Sequence, residues 1–223
     1  KVLLESIAIT DVEVSGDTRY DRVLQYKKDV SETNSILSKF RAKGPVLIAG
    51  SSWEEEEKIV KKFLDSDTKS KVIIAPHNVN ANNIDRIQSL LDQPSVRYTQ
   101  LKEYQGDRVL ILDTIGHLSS AYQYADYALI GGGFSGSLHN ILEAGAYGLP
   151  VFFGPHHQKF PEAQSFIDSG IGFVVENAEQ LSEKIKALVN QNDIKQKIET
   201  FMQSQAGATE KIVNHSFIEL GIK

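Results

Sequence analysis

The chain has 223 residues, 41% of them hydrophobic, and a formal net charge of −5. Such a length and composition suit one large domain with a real core, or a domain with appendages. The acidic balance argues against broad nucleic-acid binding, the lack of cysteine excludes disulfides and thiolate metal sites, and no apolar run approaches the roughly 18–20 residues of a membrane span.

The chain opens at Lys1 inside an apolar stretch, "VLLESIAI", without an initiator Met, and reads as a fragment or a processed chain. Residues 1–43 look separate: an extended piece or strand, a turn at Gly16, then a helix. From 45 to 175, short β-rich runs alternate with helical stretches. "PVLIAG" (45–50) is a strand, followed by "WEEEEKIVKKFLD", a helix acidic in its first turn and basic later, which suits the helix dipole. "KVIIAPH" (71–77) is the next strand, with a helix over 80–92. "VRYTQ" is a weak strand and "RVLILD" (108–113) a firm one. "GHLSSAYQYA" reads as a helix, "YALIGGG" as a strand, and "LHNILEAGAYG" as a helix ended by Gly148 and Pro150. "PVFFG" and "GFVV" are the last strands, with a helix between them that Gly170 closes. Three helices follow residue 177.

The strands are nearly continuous in apolar character, the pattern of parallel strands buried on both faces. Their alternation with helices predicts an α/β fold, a Rossmann-like parallel sheet with helices on both faces. Ligands of such sheets bind in the loops at the carboxyl ends of the strands. Five loops are therefore candidates: 50–53, 76–80, 113–117, 131–140 and 154–160.

Ser51 and Ser52 stand where a strand gives way to a helix, placed either to cap it or to offer free amides to an anion. His77 and Asn78 follow a strand and suit a phosphate, a carboxylate or plain turn chemistry. Asp113 to Gly116 turn into a helix, and backbone groups there can read the edge of a base. The densest signal is "GGGFSGSLHNILE" (131–143). Its glycines permit close backbone approach and give clearance for a phosphate. His139 and Asn140 sit near the next helix's N-terminus, and Glu143, three residues past Asn140, shares its face. A carboxylate there can accept hydrogen bonds from ribose hydroxyls, or it can close a capping box with Asn140. The glycines fit G-x-G-x-x-G only loosely. They come late in the sheet, and the acid follows within one turn instead of about twenty residues on, which argues against a nicotinamide dinucleotide. No metal-ligand spacing is present, the pair His156-His157 included, and there is no nucleophile elbow. "DSD" (65–67) reads as solvated and "SWEEEE" (52–57) as an exposed helix start.

The stretches "GDTRYDRV", "GSSWEEEE", "IIAPH", "LDTIGHLSSAYQYADYALIGGGF" and "HNILEAGAYGLPVFFGPHHQKFPEA" run in the same order as in the 3-deoxy-D-manno-octulosonic acid (Kdo) transferases, which the chain resembles over roughly residues 15–175. The resemblance implies the C-terminal, donor-binding half of a GT-B glycosyltransferase. Residues 1–43 would be the end of the N-terminal half and the interdomain linker, and residues 44–223 the CMP-Kdo binding domain. It implies inverting transfer of Kdo from CMP-Kdo to a lipid A precursor, with no cofactor and no metal. The missing N-terminal half would bring the acceptor site, the general base and the membrane attachment. The full-length protein would work at the cytoplasmic face of the inner membrane, and this part would be soluble and inactive alone. Ile115 and Gly116 would meet the cytosine, Glu143 the ribose hydroxyls, and Asn140 with Gly131, Gly132 and Gly133 the phosphate. His139 would sit at the same helix end, and Ser51 and Ser52 near the phosphate or the Kdo carboxylate. Many members carry Pro-Arg-His where this chain has Pro76-His77-Asn78, which leaves that anion contact to His77 or to an Arg or Lys elsewhere. Two alternatives stand beside this: another GT-B nucleotide-sugar transferase or epimerase, and a non-catalytic nucleotide-binding module.

Overall fold

A computed structural model of the chain describes residues 1–29, 35–41 and 44–219. Seven parallel strands form one sheet: β1 (Val46–Ser52), β2 (Lys71–Pro76), β3 (Ser95–Arg97), β4 (Val109–Ile111), β5 (Tyr127–Ile130), β6 (Val151–Phe153) and β7 (Gly172–Val174). Their spatial order is β3-β4-β2-β1-β5-β6-β7. The order reverses between β1 and β5, which pair in register from Leu47↔Tyr127 to Gly50↔Ile130. Loops leaving these two strands flank the switch point, where ligands of open α/β sheets bind.

Both faces of the sheet are covered. Ile48, Ile73, Leu110, Ile130 and Phe153 point into one buried cluster, and Leu47, Ala49, Ile74, Ile111 and Phe152 into the other. That explains the continuous apolar runs: alternate side chains face two different cores, and each buried Ile or Leu contributes about 1.5–3 kcal/mol. The helices in chain order are α1 (Val2–Glu5), α2 (Thr18–Asp29), α3 (Ser35–Arg41), α4 (Glu54–Ser66), α5 (Ala81–Leu91), α6 (Leu118–Ala121), α7 (Leu142–Ala146), α8 (Pro161–Asp168), α9 (Ala178–Leu188), α10 (Ile194–Ser204) and α11 (Ala208–Glu219). Of these, α4, α5 and α9 cover the second face. Asn80 and Asn177 cap α5 and α9 by accepting from the amides of Asn83 and Gln180, both at 2.9 Å.

Several elements are shorter than the sequence suggests. Instead of a strand through "VRYTQ", β3 stops at Arg97, because Asp113 draws the next residues into a 3-10 turn by accepting from the Thr99 amide at 3.0 Å and from its hydroxyl. Rather than starting near Leu138, α7 begins at Leu142. The amides of Ser137 and His139 bond back to the carbonyls of Gly132 and Gly131, which keeps the chain in a turn as far as Asn140. The first residues form a helical turn, α1, and the stretch from there to Gly16 joins no strand of the sheet.

Helices α2 and α3 do not stand apart from the sheet. Tyr20, Val23, Leu24, Leu37 and Phe40 are buried in the same cluster as Ile48 and Leu110. Asp21 accepts from the amides of Gly207 and Thr209 at 2.6 and 2.8 Å, tying α2 to the start of α11. No helix among the described residues is long and apolar enough to cross a membrane.

Candidate functional site

The glycine turn after β5 is locked to the strand beside it. Its first amide, Gly131 N, donates to Gly50 O at 2.9 Å, and the second, Gly132 N, to Glu56 Oε1 at 2.9 Å. A Cβ on Gly131 would lie 2.0 Å from Ser51 O, and one on Gly133 2.4 Å from Gly154 N. The clearance these glycines provide is therefore filled by the protein's own backbone. Gly132 adds a left-handed φ of +86°, which a side chain would strain. All three glycines are buried.

Glu56 corrects the reading of "SWEEEE" as an exposed helix start. Glu56 and Glu57 are 1% and 0% exposed. Glu56 Oε2 accepts from the Trp53 amide at 3.0 Å while its Oε1 holds Gly132. Glu57 pairs with Arg86 and accepts from Ser52 Oγ at 3.3 Å. Burial pushes both carboxyls above the ordinary range, against the hydrogen bonds that lower them. Ser52, 2% exposed, is thus a support beneath α4 and not a surface contact. Ser51 is half-buried at the end of β1, in a left-handed conformation with φ +52°.

Glu143 sits at the start of α7 with both oxygens held. Ser119 Oγ donates to Oε2 at 2.5 Å and Asn140 Nδ2 to Oε1 at 3.1 Å. Asn140 lies outside the helix, where its Oδ1 accepts from the Leu142 amide at 3.0 Å. The two residues therefore meet across the turn that precedes α7 and not along a helix face. A carboxylate has about four acceptor positions, so Glu143 keeps capacity for a ligand's hydroxyls. With only five residues, α7 has a small dipole for an anion at its N-terminus.

A cleft of about 270 Å³ opens beside Glu143, lined by Arg19, Arg22, Val23, Tyr26, Ser119, Asn140, Glu143 and Tyr147. One wall is α2, which the sequence did not single out as part of a site. Arg19 Nη1 reaches Glu162 Oε1 at 2.8 Å, and its Nη2 reaches Asp17 Oδ2 at 2.7 Å. The Tyr147 hydroxyl is buried without a hydrogen-bond partner, and burial, with Tyr26 and Glu143 nearby, pushes its pKa up to about 12, so it stays a donor.

The loop after β4 is open. Ile115 is 84% exposed, Gly116 has φ +93° with no atom within 4 Å of a Cβ position, and neither residue's amide or carbonyl makes a hydrogen bond among the described residues. A further group gathers at the ends of β1, β2 and β5. The His77 ring stacks on Trp53 at 4.3 Å and on His139 at 4.7 Å, and Trp53 Nε1 donates to His139 Nε2 at 3.2 Å. Burial first, and the neighbouring His77 second, lower the His139 pKa. A ring that accepts at Nε2 is neutral there. No cluster of side chains suited to a metal occurs among the described residues.

The chain is 28% identical over 156 residues to 3-deoxy-D-manno-octulosonic acid transferase of Aquifex aeolicus, covering 67% of this chain and 43% of that protein. The chain resembles a Kdo transferase. Its fold matches the C-terminal CMP-Kdo binding domain of WaaA from Acinetobacter baumannii with a TM-score of 0.64 and 19% identity, over 77% of this chain and 98% of that domain. A UDP-N-acetylglucosamine 2-epimerase matches with a TM-score of 0.60 and 15% identity, over 99% of this chain and 55% of the epimerase. No protein-family model matches the chain. The fold is thus the Rossmann-like parallel sheet that these solved structures share, and the chain spans less than half the length of its Aquifex relative.

Proposed function

We propose that this chain is the donor-binding half of a Kdo transferase, which moves Kdo from CMP-Kdo to a lipid A precursor with inversion at the anomeric carbon. The observation that carries the reading is Glu143, fixed by Ser119 and Asn140 on the wall of a ligand-sized cleft at the carboxyl ends of the strands. Its remaining acceptor capacity suits the two hydroxyls of a ribose. The open backbone of Ile115 and Gly116 suits the edge of the cytosine. In this reading Asn140, beside Glu143, faces the phosphate. Ser51, His77 and His139, around the Trp53 stack, take the sugar-acid end. Ser52 and the three buried glycines act indirectly, by holding the loops.

An acceptor hydroxyl attacks the anomeric carbon as CMP departs, and negative charge grows on the leaving phosphate. Donors fixed around that phosphate stabilise it where it develops. The base that takes the acceptor's proton lies in a second half, as do the acceptor site and the membrane attachment, at the cytoplasmic face of the inner membrane. This part alone binds donor without transferring Kdo. The Glu143→Ala variant should lose about 1–3 kcal/mol of CMP affinity by calorimetry, the range for a hydrogen bond to a charged group. Unchanged affinity would remove Glu143 from the ribose.

A further inference from the structure

Arg22 is the charge in the cleft that nothing else accounts for. It lies three residues after Arg19 and four before Tyr26, on the face of α2 that lines the cleft. Arg19 is fully engaged by Asp17 and Glu162. Arg22 is exposed and makes no hydrogen bond or ion pair among the described residues. Across the same cleft stands Glu143, on a helix against which α2 packs. A guanidinium and a carboxylate that line one cavity without pairing leave a ligand-sized gap between opposite charges. Glu143 can only accept, so it suits hydroxyls. Arg22 can only donate, so it suits an anion.

The residues after β2 do not fill that role. His77 stacks on both Trp53 and His139 and lies outside the residues that line this cleft, and the His139 ring accepts from Trp53 as a neutral imidazole. The cleft therefore draws its unpaired cation from α2.

We propose that Arg22 anchors the phosphate of the nucleoside monophosphate whose ribose hydroxyls Glu143 accepts. The assignment rests on the nucleotide reading given above and adds to it a residue, a charge and a direction of approach. A planar guanidinium can meet two phosphate oxygens at once, which a lysine cannot. Tyr147, whose buried hydroxyl has no hydrogen-bond partner, lines the same cleft.

The test is calorimetry of CMP and of cytidine against the wild-type chain and the Arg22→Gln, Arg22→Lys and Glu143→Ala variants, with thermal melts of each. Because Arg22 is exposed, its variants should melt with the wild type. Arg22→Gln should weaken CMP by about tenfold or more, the scale of a charge-assisted hydrogen bond, and leave cytidine essentially unchanged. Arg22→Lys should recover part of the loss, and Glu143→Ala should weaken both ligands. Arg22→Gln binding CMP as tightly as the wild type, or losing CMP and cytidine equally, would overturn the anchor while Glu143→Ala still reported on the ribose. A wild-type chain that bound neither ligand would overturn the nucleotide reading and the anchor with it.

Discussion

The carboxylate of Glu56 reaches from the first turn of α4 to the amide of Gly132, 2.9 Å away on the far side of the switch point. A single buried side chain thus sets the distance between the loop after β1 and the loop after β5. Its other oxygen holds the Trp53 amide, so both loops are fixed to one rigid group. Replacing Glu56 by Gln presents an N–H₂ group to one of two buried donors. Such a mismatch costs about 1–3 kcal/mol. For a chain of this size each kcal/mol lowers Tm by about 2–4 °C. Scanning calorimetry checks this, and an unchanged Tm would show that the two loops do not depend on the tie.

The glycines of the turn should differ sharply when replaced. At Gly131 a methyl would collide with the Ser51 carbonyl, which belongs to backbone and cannot rotate away. Gly131→Ala should cost about 1–3 kcal/mol or more, the range for overpacking. Gly136 has φ +76° and its Cβ would find only His156 Cβ, at 3.8 Å, so Gly136→Ala should cost about 1 kcal/mol through strain alone. Denaturant melts of the pair check the order. Equal losses would mean that close approach of the strands is not what Gly131 provides.

Trp53 is the single tryptophan of the chain and donates to His139 Nε2, so its fluorescence reports on that ring. The fold lowers the His139 pKa from 6.5, which means that it favours the neutral imidazole. This contribution to stability is present above the ordinary histidine value and is lost as pH falls through the lowered one. Protonation also removes the acceptor that Trp53 uses. Emission should therefore show a component that titrates with a midpoint below 6.5, and His139→Gln should remove that component, leaving only what the His77 ring stacked on Trp53 contributes. A midpoint at or above the ordinary value would contradict the burial of this ring.

Much of this architecture is legible in the sequence because parallel strands buried on both faces leave an unmistakable apolar run, as "VLIAG" and "VIIAP" do. The loops that carry His77, Asn140, Glu143 and Ile115 follow from the strand ends. What escaped was the direction of side chains within a run of one residue type. Four consecutive glutamates read alike, yet a helix turns by about 100° per residue, so Glu54 and Glu55 meet water while Glu56 and Glu57 face inward. The apolar residues Ile59, Val60 and Phe63 carry that phase, and extending it backwards would have pointed to Glu56. Arg22 was missed for a different reason. It lies more than a hundred residues from Glu143, and only the packing of α2 on α7 brings them to one cleft.

The proposed function requires this chain to bind a cytidine nucleotide. Titration calorimetry of the wild-type chain with CMP and with UDP, at equal salt and pH, tests it most directly. If the exposed backbone of Ile115 and Gly116 meets the cytosine and Glu143 the ribose, CMP should bind measurably and more tightly than UDP. Tighter binding of UDP would contradict the CMP-Kdo reading and turn the chain toward the nucleotide-sugar epimerases and transferases that share its fold.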